Sequence, residues 1–136
     1  MIAGAISGCV IHTMISKINN FGKENLIVDL TFKFALKIIE IVETLESRRK
    51  YVVANQLIRS GTSIGANVWV GQSPESRDDF VHKMKIAAKE ADETEYWPLL
   101  CQHSKGYPDC NTLIQDLLYI KRVLSKIISS SKRGGN

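Results

Sequence analysis

The stretch that decides the fold is YVVANQLIRSGTSIGANVWVG, residues 51–71. Its apolar residues Val53, Leu57, Ile64 and Val68 recur at steps of four and seven residues, which is the spacing of one helix face. Small residues fill the middle of the stretch, although each glycine there costs a helix up to about 1 kcal/mol relative to alanine. Because small residues let another backbone approach closely, we predict a helix packed tightly against a neighbour.

Three further segments have helical periodicity, and no segment shows the strict alternation of a half-buried strand. They are residues 26–46, residues 77–103 and a last segment with a coiled-coil-like seam made of Leu113, Leu117, Ile120, Leu124 and Ile127. Polar or turn-forming residues separate all four segments. Helices joined by short links predict an all-α fold, an antiparallel up-down four-helix bundle over residues 26–130.

Local signals refine the helix ends. Ser76 followed by Asp79 is typical of a capped helix start, and we expect Asp109 or Asn111 to cap the last helix. Pro98 has no N–H to donate, so we expect it to kink or interrupt the third helix.

The first helix is more apolar than one core face requires. Of the 20 residues 26–45, 13 are apolar, and six of the seven polar ones, all but Thr31, fall within a sector of about 120°. A helix of this kind packs on two sides, which favours self-association.

Length and composition predict one soluble domain, with 136 residues, 44% hydrophobic and 24% charged. Residues 131–136 are expected to form a flexible basic tail. Residues 1–25 are expected to be a poorly ordered extension or a start assigned too early, with Met14 as the first residue. Their apolar run has no preceding positive charge and is too short and interrupted for a membrane span, so we expect neither secretion nor membrane insertion.

Catalytic patterns are not found. Cys9, Cys101 and Cys110 cannot form a closed disulfide framework, which favours reduced thiols in the cytoplasm. No spacing matches a metal signature, a catalytic triad or a phosphate-binding loop. We therefore expect no enzymatic activity, no metal and no cofactor.

A line of polar residues runs along the predicted second helix, made of Arg59, Ser60, Ser63 and Asn67. If buried, it requires partners, and Glu90, Glu93 or Glu95 on the third helix are the candidates. The line is either a structural network that fixes helix register or a contact for a ligand or RNA.

Two motifs carry a family resemblance. QLIRSGTSIGANV, residues 56–68, closely resembles the signature of small bacterial four-helix bundle proteins related to the 23S rRNA intervening-sequence protein. A second motif matches in order and at the expected separation, and it includes Ser76, Asp79-Phe80, Lys83-Met84, Ile86-Ala87, Lys89-Glu90-Ala91, Glu93-Thr94 and Tyr96-Trp97. The resemblance covers about residues 26–128.

The resemblance implies a homopentameric ring without known enzymatic activity. Relatives include the accessory protein of diversity-generating retroelements, which binds nucleic acid and a reverse transcriptase through basic surface. This chain departs from the pattern at Val70, where an acidic residue is usual, and at Pro98, where an apolar helix former is usual.

Two functions remain open. One is a homo-oligomer that binds structured RNA or another nucleic acid, with a nucleic-acid-processing protein as a further partner. Residues from Asp109 onward include five basic and two acidic ones, whereas residues 73–95 include four basic and seven acidic ones, so the charge is segregated. The candidate phosphate-binding residues are Arg48, Arg49, Lys50, Lys121, Arg122, Lys126, Lys132 and Arg133. The alternative is a protein-interaction scaffold or accessory subunit that uses the apolar surface around the first helix and Trp69, without nucleic-acid binding.

Overall fold

The computed structural model describes residues 25–133, and all regular structure in that range is helical. The four helices are α1 (Leu26–Ser47), α2 (Tyr51–Val70), α3 (Arg77–Gln102) and α4 (Asn111–Arg133). The all-α prediction is therefore confirmed. The expectations for an N-terminal extension and for Gly134–Asn136 fall outside the described residues.

Each helix packs against the next one along the chain, and α4 returns to pack more sparsely against α1. The contacts between α1 and α2 show that the two helices are antiparallel. Gly61 lies against Ile38, whereas Gly65, one turn later in α2, lies against Thr31, which comes earlier in α1. The arrangement is thus the expected up-down bundle. Its core is built from fully buried aliphatic residues and one aromatic, such as Phe34, Leu57 and Leu117. None of the described helices is long and apolar enough to cross a membrane.

Glycines set the distance between α1 and α2. A Cβ atom on Gly61 would lie 2.7 Å from two side-chain carbons of the buried Ile38. A Cβ atom on Gly65 would lie 3.2 Å from the Thr31 carbonyl oxygen. The predicted close approach at the small residues of α2 is confirmed, and its partner is α1.

Helix ends agree with the local signals in part. The Ser76 hydroxyl accepts a hydrogen bond from the Asp79 N–H at 3.0 Å, as predicted for the start of α3. The Asp79 carboxylate in return accepts the N–H of Glu75 at 3.1 Å. The Asp109 carboxylate accepts the Asn111 N–H at 3.0 Å where α4 begins.

Two helix ends agree with expectation only in part. α3 runs through Pro98 to Gln102, so the interruption expected there is absent and the alternative, a kink, stays a prediction. Pro98 is buried near the helix end, where its missing N–H removes one backbone bond while its ring packs inside the bundle. The last helix also extends to Arg133, into the segment expected to be a tail. No glycine or proline precedes Gly134 in that segment, and basic residues near a C-terminus stabilise the helix dipole.

Substituting Gly61 with alanine tests the α1–α2 contact. The new methyl group clashes with Ile38, and overpacking of this kind exceeds the gain in helix propensity. We expect Gly61→Ala to lower the free energy of unfolding by about 1–2 kcal/mol in urea denaturation. Ile38→Val removes Cδ1, one of the two carbons at 2.7 Å, so the double variant should be less destabilised than the sum of the two single changes. An unchanged or raised stability for Gly61→Ala would contradict the close approach.

Candidate functional site

Arg59 joins α2 to the acidic side of α3. Its guanidinium forms an ion pair with Glu93, and its Nη1 lies 3.6 Å from the Glu90 Oε2. Two of the three carboxylates expected as partners are therefore found. The Arg59 side chain is 50% exposed, so this end of the polar line lies at the surface.

Lys121 makes the equivalent contact from α4. Its Nζ lies 3.0 Å from the Asp92 Oδ1 and 3.0 Å from the Glu95 Oε1. Hydrogen bonds to Asp92 and then Glu95 raise the pKa of Lys121 above its ordinary value. Glu95, the third candidate partner of Arg59, is therefore held by α4 instead.

These contacts form what we name the charge clamp, which consists of Arg59, Lys121 and four carboxylates of α3. Residues three apart lie close together on a helix surface, so one cation bridges each pair. Arg59 holds Glu90 and Glu93 on the α2 side, while Lys121 holds Asp92 and Glu95 on the α4 side. The clamp links α3 to both neighbours, and its two cations offset half of the charge of the four carboxylates.

The other side chains of the polar line form their hydrogen bonds within α2. Ser60 Oγ donates to the Gln56 carbonyl at 3.0 Å, and Ser63 Oγ donates to the Arg59 carbonyl at 2.6 Å. Asn67 Nδ2 donates to the Ser63 carbonyl at 2.8 Å. Hydrogen bonds to carbonyls one turn earlier let a helix carry short polar side chains without external partners. They favour the structural interpretation of this line over the ligand interpretation.

Arg48, Arg49 and Lys50 form the turn between α1 and α2. Lys50 N–H donates to the Leu45 carbonyl at 2.8 Å, and Arg49 N–H donates to the Glu46 carbonyl at 2.9 Å. This pair of bonds is a Schellman motif, in which the first residue after the helix C-cap is usually glycine. Arg49 occupies that position with φ of 60°, a left-handed conformation that is unfavourable for a residue with a Cβ.

The turn between α3 and α4 meets these arginines at the same end of the bundle. Arg48 Nη1 donates to the Gly106 carbonyl at 3.3 Å, and the Lys50 ammonium lies 4.9 Å from the centre of the Tyr107 ring. We name the surface made of Arg48, Arg49, Lys50 and Lys105 the basic end. Within residues 25–133, none of its cations forms an ion pair with a carboxylate.

The other predicted basic residues lie elsewhere. Arg122 sits 5.9 Å over the Tyr119 ring, and Lys126 is exposed one turn further along α4. Lys132 is exposed near the end of the helix and Arg133 is its last residue. At 1.5 Å per residue, α4 separates these two from the basic end by roughly 30 Å. The eight predicted residues therefore do not form one patch.

Lys105 was not predicted. It is a single lysine in a turn, and the residues around it have no basic run. Only the packing of Gly106 and Tyr107 against the other turn brings Lys105 to the basic end. No local signal in the sequence reports that proximity.

Two apolar surfaces lie on opposite sides of the bundle. The α1–α2 groove encloses about 220 Å³ and is lined by Val28, Thr31, Phe32, Ala35, Thr62, Gly65, Ala66 and Trp69. The α3–α4 apolar face consists of Tyr96, Leu99, Leu100 and Leu118, each 37–57% exposed. Leu99 and Leu118 lie one turn beyond the Glu95–Lys121 ion pair, which places them side by side.

Metal ligands do not converge in the described part of the chain. No group of three or more His, Cys, Asp or Glu side chains among those residues is arranged to hold a metal ion. The acidic residues of α3 instead contact Arg59 and Lys121.

Comparison with known proteins identifies one family. The family model for the 23S rRNA-intervening sequence protein matches residues 23–126. A crystal structure of a protein with unknown function from the S23 ribosomal protein family of Bacteroides thetaiotaomicron VPI-5482 is 36% identical. The alignment covers 75% of this chain and 97% of the chain in that crystal structure, and the TM-score is 0.72. No curated protein matches the chain.

The charge clamp gives a pH-dependent prediction. We expect Lys121→Met to lower the free energy of unfolding at neutral pH by about 1 kcal/mol, because two carboxylates lose their partner. Because the pKa of Lys121 is raised in the folded state, this stabilisation is complete below pH 10.5, the ordinary pKa of a lysine. It is lost as the pH rises through the pKa that Lys121 has in the folded protein. Urea denaturation from about pH 7 to pH 12 should show the difference from wild type shrinking only at the alkaline end.

Lys126→Met is the matched control, since Lys126 is an exposed lysine on the same helix. It should change the stability by less than about 0.5 kcal/mol. A Lys121→Met effect that stays constant up to the highest pH would show that the lost contribution is packing and not charge.

Proposed function

Because the chain belongs to the 23S rRNA-intervening sequence protein family, we propose that it is a non-enzymatic homo-oligomer that binds structured RNA through the basic end. The observation that carries the proposal is a contrast between two sets of cations. Lys121 and Arg59 contact carboxylates of α3, whereas the cations of the basic end contact a carbonyl and an aromatic ring. Cations without carboxylate partners are available to phosphates, and the two turns bring four of them to one end of the bundle.

The two apolar surfaces support self-association. Monomeric proteins rarely expose contiguous apolar patches, and here two patches lie on opposite sides of the same bundle. The groove is concave and lined by small residues, and the α3–α4 apolar face carries larger side chains such as Tyr96 and Leu99. When two different surfaces of a protomer fit each other, copies associate head to tail. Such an association closes into a ring where the rotation between neighbouring copies permits it. A homopentamer is the ring that the family resemblance implies.

A ring increases the effect of the basic end. Rotational symmetry places the same end of every protomer on the same side of the assembly. The basic ends of all copies then lie around one axis and form a continuous positive surface. Each phosphate neutralised by such a surface adds to affinity through counterion release.

The backbone of Arg49 supports the same surface. Glycine would relieve the left-handed strain at this position, yet an arginine is present. Strained residues cluster where a side chain is needed for function. Phosphate binding is a use that accounts for a charged side chain there.

A protein-interaction scaffold is the second candidate, and the apolar groove favours it. A partner helix seated in the groove would cover the same residues that a second copy would cover. In that case the chain alone would be monomeric, so the oligomeric state separates the two proposals.

Two variants that each block one apolar surface test the head-to-tail association. Ala66→Arg places a long charged side chain in the groove, and Leu99→Lys places a charge on the opposite face. Each variant alone should be monomeric in light scattering, because each has lost one of the two surfaces. Mixed together they should form a dimer of twice the chain mass, since each retains the surface that the other needs.

Lys126→Ala is the control, because Lys126 is exposed and lies two turns after Tyr119, which faces α1, so it is outside both surfaces. It should keep the wild-type mass. A monomeric wild-type protein would refute self-association, and variants that remain assembled would refute these surfaces.

The basic end is tested by removing two charges without disturbing the turn. Arg49→Gly suits the left-handed backbone, and Lys105→Ala removes an exposed side chain while the Arg48–Gly106 hydrogen bond stays in place. We expect the double variant to bind a labelled structured RNA hairpin at least about tenfold more weakly at moderate salt. Its plot of log affinity against log salt should be shallower by roughly one unit for each lost phosphate contact.

Lys85→Ala with Lys89→Ala removes the same charge from the exposed side of α3 and should leave binding nearly unchanged. Absence of wild-type binding at low salt, or binding that salt does not weaken, would refute the RNA proposal. Equal losses for both double variants would indicate a general charge effect and not a site.

A further inference from the structure

The basic end carries exposed apolar side chains that belong to neither apolar surface of the bundle. Tyr51 and Val52 begin α2 directly after Lys50, and they are 55% and 75% exposed. Tyr107, on the other turn at this end, is half-buried. The Tyr51 ring contributes little to the core and is therefore accessible to a ligand that reaches the basic end.

The two tyrosines of the basic end differ in what covers their rings. The Lys50 ammonium lies 4.9 Å from the centre of the Tyr107 ring, so one face of that ring already holds a cation. None of the aromatic rings or cations within residues 25–133 stacks on Tyr51. Tyr107 thus serves to place Lys50, whereas Tyr51 offers an uncovered ring.

Positive charge surrounds the Tyr51 ring. Arg48, Arg49 and Lys50 directly precede Tyr51 in the chain, and the first turn of α2 contains no acidic residue. A Cβ atom on Gly106 would lie 3.8 Å from the Lys50 ammonium, which shows how closely the turn that carries Lys105 approaches. An uncovered ring and several cations without carboxylate partners therefore share one small surface, and its field attracts anions.

This combination is typical of a surface that binds unpaired nucleotides. The face of a base stacks on an aromatic ring, while the phosphates on either side of that nucleotide contact cations. In a paired stem the base faces are already stacked on one another, and a protein contacts the stem mainly through phosphates and sugar hydroxyls. Cations alone bind loops and stems alike, so the ring gives the basic end a means to distinguish them.

We propose that the basic end binds unpaired RNA nucleotides, with one base stacked on Tyr51 and the adjoining phosphates held by Arg48, Arg49 and Lys105. The inference rests on the proposed function, because it names the part of a structured RNA that this surface contacts. The preferred target is a hairpin loop. A paired stem is bound only through its phosphates and therefore more weakly.

Two RNAs with the same number of phosphates test the preference for a loop. One is a hairpin with a wide uridine-rich loop, and the other is a blunt duplex. We expect the wild-type protein to bind the hairpin about tenfold more tightly at moderate salt, which is the effect of stacking one base. Tyr51→Ala should remove this preference and leave duplex binding nearly unchanged, since the side chain is exposed and alanine favours a helix.

Three further variants identify stacking as the cause. Tyr51→Phe keeps a ring and should keep the preference, whereas Tyr51→Leu keeps apolar volume without a ring and should lose most of it. Tyr119→Ala is the matched control, because it removes an exposed tyrosine beside Arg122, roughly 12 Å along α4 from its start. It should bind both RNAs like the wild-type protein.

The salt dependence separates stacking from a charge contact. Tyr51→Ala removes no charge, so its plot of log affinity against log salt should keep the wild-type slope while the affinity for the hairpin falls. The variant with Arg49→Gly and Lys105→Ala should instead have a shallower slope on both RNAs. A shallower slope for Tyr51→Ala would show that the substitution disturbs the cations, which would overturn the stacking role.

Photocrosslinking assigns the ring directly. An iodouracil base in the loop crosslinks to an aromatic side chain on which it stacks. Trypsin then releases residues 51–59, in which Tyr51 is the only aromatic residue, whereas Tyr107 falls within residues 106–121. We expect the crosslinked nucleotide on residues 51–59. A crosslink on residues 106–121 alone would overturn the assignment to Tyr51.

The inference and the proposed function fail in different ways. Equal affinity for hairpin and duplex, both lowered by Arg49→Gly with Lys105→Ala, would overturn the stacking inference and leave RNA binding through phosphates in place. A Tyr51→Ala variant that loses duplex binding as much as hairpin binding would also overturn it. Absence of binding to either RNA at low salt would refute the proposed function and this inference together.

Discussion

The close contact between α1 and α2 is the constraint on which the rest of the structure depends. Gly61 and Gly65 leave no side chain between the helices, so Ile38 and the Thr31 backbone come directly against α2. A turn of three residues, Arg48 to Lys50, joins these two helices. The charges of that turn are then held at one end of the bundle, against the turn between α3 and α4. On the outside of the same contact, small residues leave the apolar α1–α2 groove.

Charge is distributed unevenly along the bundle. In the middle, the carboxylates of α3 contact cations from both neighbouring helices, and each of these two cations lies between two carboxylates. At the basic end, cations lie against uncharged groups and keep their full field toward solvent. A count of charges along the sequence assigns Lys121 to the same basic class as Lys126. The fold separates them, because it brings acidic partners only to Lys121.

The sequence was sufficient for the helices and insufficient for most contacts between them. Apolar spacing predicted four helices, and small residues predicted the close contact of α2, because both signals lie within one helix. Pairing of Lys121 with Glu95, and the position of Lys105 beside the first turn, depend on how helices slide past one another. That register is decided by the whole core and leaves no local pattern. Pro98 shows that a local rule can leave two outcomes open, since α3 continues past it to Gln102.

The charge clamp has a consequence for how the bundle responds to heat. Burying part of an ion pair costs hydration free energy, and that cost decreases as temperature rises. Hydrophobic stabilisation per unit area reaches a plateau over the same range. The contacts of Arg59 and Lys121 therefore supply a growing share of the attachment of α3 as the protein warms. The most polar helix of the bundle is thus held by the interaction that is least weakened near the melting temperature.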